Sequence, residues 1–288
     1  MVIPVSIVYT VYMNILSKQD TNAPAVSLKT FLTAMTAFLF IVLTIWWACI
    51  FFFPVSEKTK LIWAASYQLI ALWGGILGLV VVSRLWGGMK SIMGRAVIYF
   101  SLGLLFQVIG QSVFSFYTTI LQVDIPYPSL ADIGFFGSIP FYIYGIVLLG
   151  KAAKVSISLK SFENKIQALV IPLVVILISY ASFLKNYEID FSNKIRIFLD
   201  FGYPIGQAIY ISIAILVYIF SKKTLGGIMK DKIFLILGAL AVQYAADYNF
   251  LYQNLNGTWV NGGYGDYIYL VSYFLMALAL MRLVDISD

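Results

Sequence analysis

The sequence contains no histidine and only one cysteine, Cys49, which lies in an apolar run. Imidazole and thiolate groups are the usual protein ligands of haem, copper and zinc, and imidazole is the usual partner in catalytic dyads. A single cysteine cannot form a disulfide within the chain. We therefore predict no catalytic site, no metal site and no cofactor.

Charged side chains are also scarce, because they make up 11% of the 288 residues, whereas 61% are hydrophobic. Soluble domains carry about 25% charged residues. A helix needs about 20 residues to cross the hydrocarbon layer, so the chain has room for eight or nine spans and no separate soluble domain. The composition predicts a single all-α membrane domain embedded in a lipid bilayer.

Eight apolar runs are long enough to span a membrane as helices. They cover residues 30–54, 60–82, 96–121, 131–150, 166–185, 197–220, 233–252 and 265–284. We predict an eight-span domain over residues 29–288, preceded by an apolar segment and linker over residues 1–28. Residues 1–16 lack the basic start and small-residue cleavage site of a secretory signal, so we favour an interfacial or half-inserted helix over a ninth span.

Lysine and arginine are concentrated in alternate loops of this predicted topology. The basic loops are 83–95, 151–165 and 221–232. Loops 122–130 and 253–264 contain no lysine or arginine, and loop 186–196 is the exception, with two basic residues. Basic loops stay in the cytoplasm, so the C-terminus is predicted to be cytoplasmic. The net charge of +6 is thereby explained by topology, and no nucleic-acid partner is predicted.

The two halves of the sequence resemble each other. Gln68 and Gln207 each precede a Gly-Gly pair by nineteen residues. In the helices that follow, FQVIGQSVFSF aligns with VQYAADYNFLY, and LADIGFF aligns with YGDYIYL. A unit of four spans brings the chain back to the same side, so both copies run the same way through the membrane. We predict two parallel four-helix repeats, over about 29–150 and 166–284.

Polar side chains in these helices are the candidates for function. A charge deep in a bilayer costs several kcal/mol, so acids in spans normally face a cavity or a partner. Asp247 lies about five residues from the outer end of its helix, one turn after Gln243, and both project from one face. The alignment pairs Gln243 with Gln107 and Asp247 with Gln111, so both halves carry a polar stripe in their outer part.

Three more aspartates begin their helices at the outer side. One glutamine lies about two turns into the second helix of each half. We predict that these groups line one outward-facing pocket with aromatic walls. The predicted ligand-binding residues are Asp132, Asp200, Asp247, Asp266, Gln68, Gln111, Gln207, Gln243, Tyr248 and Tyr252. Carboxylates beside aromatic faces favour a small cationic ligand, an amine or another small polar molecule that enters from outside.

Simpler explanations for the same residues stay open. Ser129-Leu130-Ala131-Asp132 is typical of a helix-capping box, with Ser129 as N-cap. An acid at a helix start is also stabilised by the helix dipole, which applies to Asp132 and Asp266. Asp200 lies one turn after Arg196 and would form a surface ion pair with it. The glutamines would join helices by hydrogen bonds, and the tyrosines would form interfacial belts.

Three segments resemble a family of multi-span membrane sensory domains that precede GGDEF diguanylate cyclase modules in bacterial signalling proteins. They are GQSVFSFYTTILQVDIPYPSLADIGFFGSIPFYIYGIVLL, FGYPIGQAIY and AADYNFLY with the following NGGYGDYIYLVSYFLMALA. PYPSLAD is the most specific part, and the resemblance covers about residues 60–284. It implies a sensory domain in a prokaryotic cell membrane.

The resemblance also bears on individual residues. The recurrent acids of the family would fall on Asp132, Asp247 and Asp266. At two further positions where family members often carry acids, this sequence has Gln111 and Gln207. No output module follows the last predicted span, so the resemblance implies a signal that passes through a separate cytoplasmic or membrane effector protein, or through the cytoplasmic loops.

Our interpretation is a sensory or ligand-binding membrane domain. A small transporter or channel with 4+4 repeats is the second hypothesis, because repeats and membrane-embedded acids also occur in transporters. The inner halves of the helices, such as LGLVVVS and AILVYIF, are nearly bare of polar groups, which favours a blind pocket. A structural subunit of a membrane complex is the third hypothesis. An enzyme is the least favoured, because no nucleophile with a base is recognisable.

Overall fold

A computed structural model describes residues 27–153, 162–185, 191–221 and 228–284. These residues form helices and no strand, and eight of the helices are long and apolar enough to cross a membrane. The eight helices are α1 (Leu28–Phe52), α2 (Glu57–Leu85), α3 (Ile92–Leu121), α4 (Ala131–Ala152), α5 (Glu163–Phe183), α6 (Lys194–Ser221), α7 (Lys230–Asn254) and α8 (Tyr264–Arg282). The prediction of an all-α, multi-pass membrane protein with eight spans is confirmed.

Some predictions concern residues outside these ranges. They are the N-terminal apolar segment over residues 1–16 and part of the basic loops, over 154–161 and 222–227. The interfacial helix and the lysines of those loops therefore stay predictions.

The starts of the first three helices are determined locally by serine caps. Ser27, Ser56 and Ser91 precede α1, α2 and α3, and each accepts a hydrogen bond on Oγ from the backbone N–H three residues later, over 3.2, 3.2 and 2.8 Å. A serine in this position satisfies one of the free N–H groups at a helix start and stabilises the helix by about 1 kcal/mol. The loops that lead into α1, α2 and α3 therefore end at these serines.

Small residues let the central helices approach closely. A Cβ atom added to Gly134 of α4 would lie 2.2 Å from the backbone nitrogen of Gly110 in α3. A Cβ atom added to Gly74 of α2 would lie 2.5 Å from Cβ of Ala277 in α8. Helices in membranes associate through close packing of this kind, because lipid provides little hydrophobic driving force. Glycine is therefore required at both crossings.

The first helix of each predicted half is peripheral. α1 packs on α8, where the rings of Phe40 and Phe274 stack with their centroids 4.0 Å apart. α5 contacts α6 and α7 and leaves side chains such as Leu169 (70%) and Leu177 (55%) exposed, as expected for a surface that faces lipid. The remaining six helices form most of the wall of the cavity described below, to which α5 adds Phe183. The two peripheral helices have different neighbours, and the parallel repeat stays a prediction.

Three helices depart from regular α-helical hydrogen bonding near this cavity, and one of them is α5, which ends in a π-helical turn over Tyr180–Leu184. α2 is interrupted at Tyr67 and Gln68, between the segments Glu57–Ser66 and Leu69–Leu77. α3 ends in a π-helical turn over Phe116–Leu121. Interruptions of this type often lie beside functional sites, because they turn side chains and backbone groups toward a ligand.

Candidate functional site

A cavity of about 230 Å³ lies at the end of the bundle where α4, α6 and α8 begin and where α3 and α7 end. Residues of α2 and of the loop 122–130 also line it, together with Phe183 at the end of α5 and Trp259 in the loop after α7. The four predicted aspartates all line it, although they come from four different helices: Asp132, Asp200, Asp247 and Asp266. The structure thus brings together the acids that the sequence had placed far apart along the chain.

Asp247 is buried and is bound by neutral donors. Its Oδ1 accepts hydrogen bonds from Gln243 Nε2 over 3.0 Å and from the Tyr269 hydroxyl over 2.9 Å. Its Oδ2 accepts one from the Tyr210 hydroxyl over 3.3 Å. No lysine or arginine of the described segments forms an ion pair with it. The predicted shared face of Gln243 and Asp247 is confirmed by their hydrogen bond.

Asp132 combines the two roles that the sequence left open. Its Oδ2 accepts the Ser129 backbone N–H over 2.7 Å, and its Oδ1 accepts the Tyr203 hydroxyl over 2.8 Å. The predicted capping box forms, because Ser129 Oγ also accepts the Ala131 backbone N–H over 3.2 Å, and Leu130 already has α-helical φ and ψ angles of −64° and −21°. Asp132 therefore stabilises the start of α4 and also joins α4 to α6.

Asp266 is arranged in a similar way at the start of α8. It is buried, and its Oδ2 accepts the Gly262 backbone N–H over 2.7 Å. The side chain of Tyr67, which comes from the interrupted part of α2, lines the same cavity. Asp266 thus stabilises the start of α8 and also forms part of the cavity wall.

Asp200 lies with Arg196 and Tyr127 at the more exposed side of the cavity. The predicted pair forms, with 3.6 Å between Arg196 Nε and Asp200 Oδ2. The Tyr127 hydroxyl donates to Asp200 Oδ1 over 2.7 Å. Partial burial and this hydrogen bond raise the pKa of the Tyr127 phenol, so the hydroxyl keeps its proton and remains a donor. The predicted ion pair is therefore part of the cavity wall.

Two of the predicted glutamines line the cavity, with different bonding. Gln111 donates from Nε2 to the Ala64 carbonyl over 3.0 Å and joins α3 to α2. Gln207 is 3% exposed, and its Oε1 is buried without any hydrogen-bond partner. An unpaired buried acceptor costs about 1–3 kcal/mol. Gln207 is consequently the one lining residue in the described segments with an unsatisfied buried acceptor.

The other predicted residues lie outside the cavity wall. Gln68 accepts a hydrogen bond from Ser112 over 3.0 Å and joins α2 to α3, which matches the simpler explanation for the glutamines. Gln243 lies behind Asp247 and orients it. Tyr248 bonds to a serine of α5, and Tyr252 is 61% exposed. These side chains point away because the packing of neighbouring helices, and not the helix register alone, determines which face meets the cavity.

Sequence reasoning missed two tyrosines that bind Asp247, Tyr210 and Tyr269, and a third, Tyr273, that binds Gln107. Tyr269 and Tyr273 follow Asp266 by three and seven residues, and both line the cavity. Tyr210 follows Gln207 by three residues and binds Asp247. Helical spacing from the polar residues could have identified all three, because a buried carboxylate needs donors on adjacent faces.

A layer of amide and hydroxyl groups closes the cavity near the middle of the bundle. Gln107 donates from Nε2 to Ser138 Oγ over 2.8 Å, and Ser272 Oγ donates to Gln243 Oε1 over 2.7 Å. Ser138 and Ser272 each follow the aspartate at the start of their helix by six residues. The two glutamine–serine pairs thus occupy positions that the predicted repeat makes equivalent.

Beyond this layer, the buried serines are satisfied within their own helices. Ser83, Ser101 and Ser212 each donate from Oγ to the backbone carbonyl four residues earlier, over 2.6 to 2.7 Å. Their hydroxyl protons are therefore already used within their own helices. The polar lining of the cavity extends along α3 as far as Gln107 and along α8 as far as Tyr273, within the part of the chain described.

Comparisons with family models, with curated proteins and with solved structures gave no match. The resemblance to bacterial membrane sensory domains therefore stays a prediction that depends on the quoted sequence segments. The chemistry of the cavity has to be judged from its own residues. In the described ranges, no three acidic or cysteine side chains are grouped so that they could hold a metal ion.

Proposed function

We propose that this protein is a sensory or ligand-binding membrane domain that takes a small cationic or polar organic ligand into the acidic cavity. One observation carries the proposal: four carboxylates from four helices line a single cavity. Arg196 is the only basic residue in that lining, and Asp200 already pairs with it. The excess of negative charge favours a cation, and the walls of Tyr203 and Trp259 offer aromatic faces to it.

The proposal includes an orientation in a prokaryotic cell membrane, with the cavity outside and the C-terminus in the cytoplasm. Basic residues near the opposite ends of the helices support it, since such residues stay in the cytoplasm. They are Arg84, Lys90, Arg95, Lys151 and Arg282. A ligand would then enter from outside, as expected of a sensor.

The proposed mechanism is a change in helix packing. Asp132 and Asp247 each accept hydrogen bonds from tyrosines of other helices, and a cation between the acids reduces their mutual repulsion. A ligand shifts the bundle only by the difference between its affinities for two packings. The shifted tilt of α4 and α8 would reach an effector protein through the loops at the basic end.

Transport is less well supported, because the serines beyond the cavity are satisfied within their own helices. A structural role in a larger complex would use the exposed apolar faces of α1 and α5, which lipid also accounts for. The shared acidic cavity favours ligand binding over both.

Asp247→Asn in the protein purified into lipid nanodiscs tests the proposal. Binding of a panel of small organic cations and neutral polar molecules is measured by isothermal titration calorimetry. We expect affinity for the bound cations to fall about 10- to 100-fold, since a hydrogen bond to a charged group contributes about 1.5–3 kcal/mol. Asp231→Asn, an exposed acid at the other end of α7, is the matched control. Equal affinities of Asp247→Asn and the control, or no binding by any compound, would contradict the proposal.

A further inference from the structure

Gln207 lies on the face of α6 that meets the cavity. Tyr203, one turn earlier, donates to Asp132 over 2.8 Å. Tyr210, one turn later, donates to Asp247 over 3.3 Å. Residues three and four apart lie on one face of a helix, so the Gln207 side chain lies between the two tyrosine–aspartate pairs.

The two ends of the Gln207 amide have different surroundings. Oε1 has less than 1 Å² of accessible surface and no hydrogen-bond partner. No hydrogen bond joins Nε2 to another residue of the described segments. Because the side chain contributes to the cavity lining while Oε1 is covered, Nε2 is the amide group that meets the cavity. Gln207 therefore presents N–H donors to the cavity at this point.

An unpaired donor in such a position indicates what the ligand has to provide. Gln207 is only 3% exposed, and buried donors in folded proteins are almost always paired with protein, water or ligand. Water can accept from Nε2 in the unliganded protein. A ligand that displaces this water has to supply an acceptor in its place, since otherwise affinity is lost.

The charges on either side of Gln207 restrict this acceptor further. Asp132 and Asp247 both line the cavity, and neither forms an ion pair with a lysine or arginine of the described segments. A carboxylate or phosphate of the ligand would lie between them and would be repelled. The acceptor beside Gln207 therefore has to be an uncharged oxygen.

Building on the proposed function, we propose that the ligand is an organic cation that also carries a neutral acceptor oxygen, such as an ether, ester, ketone or hydroxyl oxygen. Gln207 Nε2 donates to this oxygen, and the positive charge lies toward Asp132 and Asp247. A simple alkylammonium ion has no acceptor, and a neutral alcohol or sugar has no charge, so each lacks one part of this recognition.

Matched pairs of compounds test the acceptor in the purified full chain in nanodiscs. Methoxyalkylamines with two, three or four carbons between oxygen and nitrogen are each compared with the alkylamine in which CH₂ replaces the oxygen. A fourth pair, (2-methoxyethyl)trimethylammonium and butyltrimethylammonium, removes the N–H groups of the cation. Binding is measured by isothermal titration calorimetry.

The affinity ratio within each pair is the informative quantity. Burial of the extra CH₂ by itself favours the alkyl compound about 4-fold. We expect at least one ether to bind as tightly as its alkyl counterpart or more tightly, because the bond from Nε2 offsets that difference. A preference of about 4-fold or more for the alkyl compound in every pair would overturn the inference.

Gln207→Met gives a second, independent readout, since it removes the donor and nearly keeps the length of the side chain. We expect the ether-to-alkyl affinity ratio to fall about 3- to 10-fold in this variant, which is the net contribution of one hydrogen bond. Gln68→Met is the matched control, because Gln68 lies outside the cavity wall, and it should leave the ratio unchanged. Equal losses of affinity for both members of each pair in Gln207→Met would show a structural role and refute the assignment.

The two proposals fail in different ways. If cations bind with a dependence on Asp247 but the ether-to-alkyl ratio is the same in the wild type and in Gln207→Met, the sensory cavity stands and the acceptor assignment falls. If no probe binds, or if neither Asp247→Asn nor Gln207→Met changes the binding of any probe, both proposals are wrong.

Discussion

The Tyr203 hydroxyl donates a hydrogen bond of 2.8 Å to the Asp132 carboxylate and so joins α6 to α4 in the cavity wall. Asp132 belongs to the first predicted half of the chain, and Tyr203 belongs to the second. Hydrogen bonds to a charged group contribute about 1.5–3 kcal/mol. This contact therefore links α6, which also carries Gln207, to α4, which begins in the PYPSLAD segment.

Removing this hydroxyl should weaken the bundle. We expect Tyr203→Phe to lower the free energy of unfolding by about 1–3 kcal/mol, because Asp132 loses a donor in a partly buried site. Denaturant unfolding in detergent micelles measures the change. Tyr252→Phe is the control, since Tyr252 is 61% exposed, and it should have little effect. Equal stability of the two variants would mean that the contact contributes nothing measurable.

The bond between Gln107 and Tyr273 predicts a coupling across the bundle. The Tyr273 hydroxyl donates to Gln107 Oε1 over 3.0 Å, and both residues are buried. Gln107→Leu and Tyr273→Phe should each destabilise the protein, because each leaves a buried polar group unpaired at a cost of about 1–3 kcal/mol. The double variant should lose less than the sum of the single losses. Additive effects in the same unfolding assay would argue against a direct interaction.

The close approach of α3 and α4 at Gly110 and Gly134 leads to a steric prediction. Gly134→Ala places a Cβ atom 2.2 Å from the Gly110 nitrogen, where backbone cannot yield easily. We expect this variant to lose about 1–3 kcal/mol of stability or to fail to fold. Gly238→Ala adds the same atom in open space on α7 and should be neutral or slightly stabilising. Thermal unfolding monitored by circular dichroism compares the two, and similar midpoints would contradict the packing described.

The orientation of the protein can be tested by labelling of introduced cysteines in intact cells. In a Cys49→Ala background, Asn254→Cys places a thiol at the exposed side of the cavity, and Lys90→Cys places one at the basic end. We expect a membrane-impermeant maleimide to label Asn254→Cys in intact cells and Lys90→Cys only after permeabilisation. Such a pattern is expected if the basic loops remain in the cytoplasm. The reverse pattern would invert the proposed topology.

The helices themselves were predictable because their causes are local. Long apolar runs between short polar loops are enough to identify spans, and the eight runs correspond to α1–α8. The position of Asp247 in a cavity wall was also predictable, since the cost of burying a charge applies wherever the residue lies in a span. The start of α4 was predictable too, since Ser129 and Asp132 form the capping box that their spacing indicates.

Gln68 and Gln207 show where the sequence alone was insufficient. Both lie two turns into the second helix of a predicted half, and both were expected to face the pocket. In the folded protein, Gln68 bonds to Ser112 outside the cavity, whereas Gln207 faces it without a partner. Composition and burial cost determined the eight spans and the acids that have to avoid lipid. Tertiary packing alone decided which polar side chains share the cavity, because the neighbours of a helix face come from distant parts of the chain.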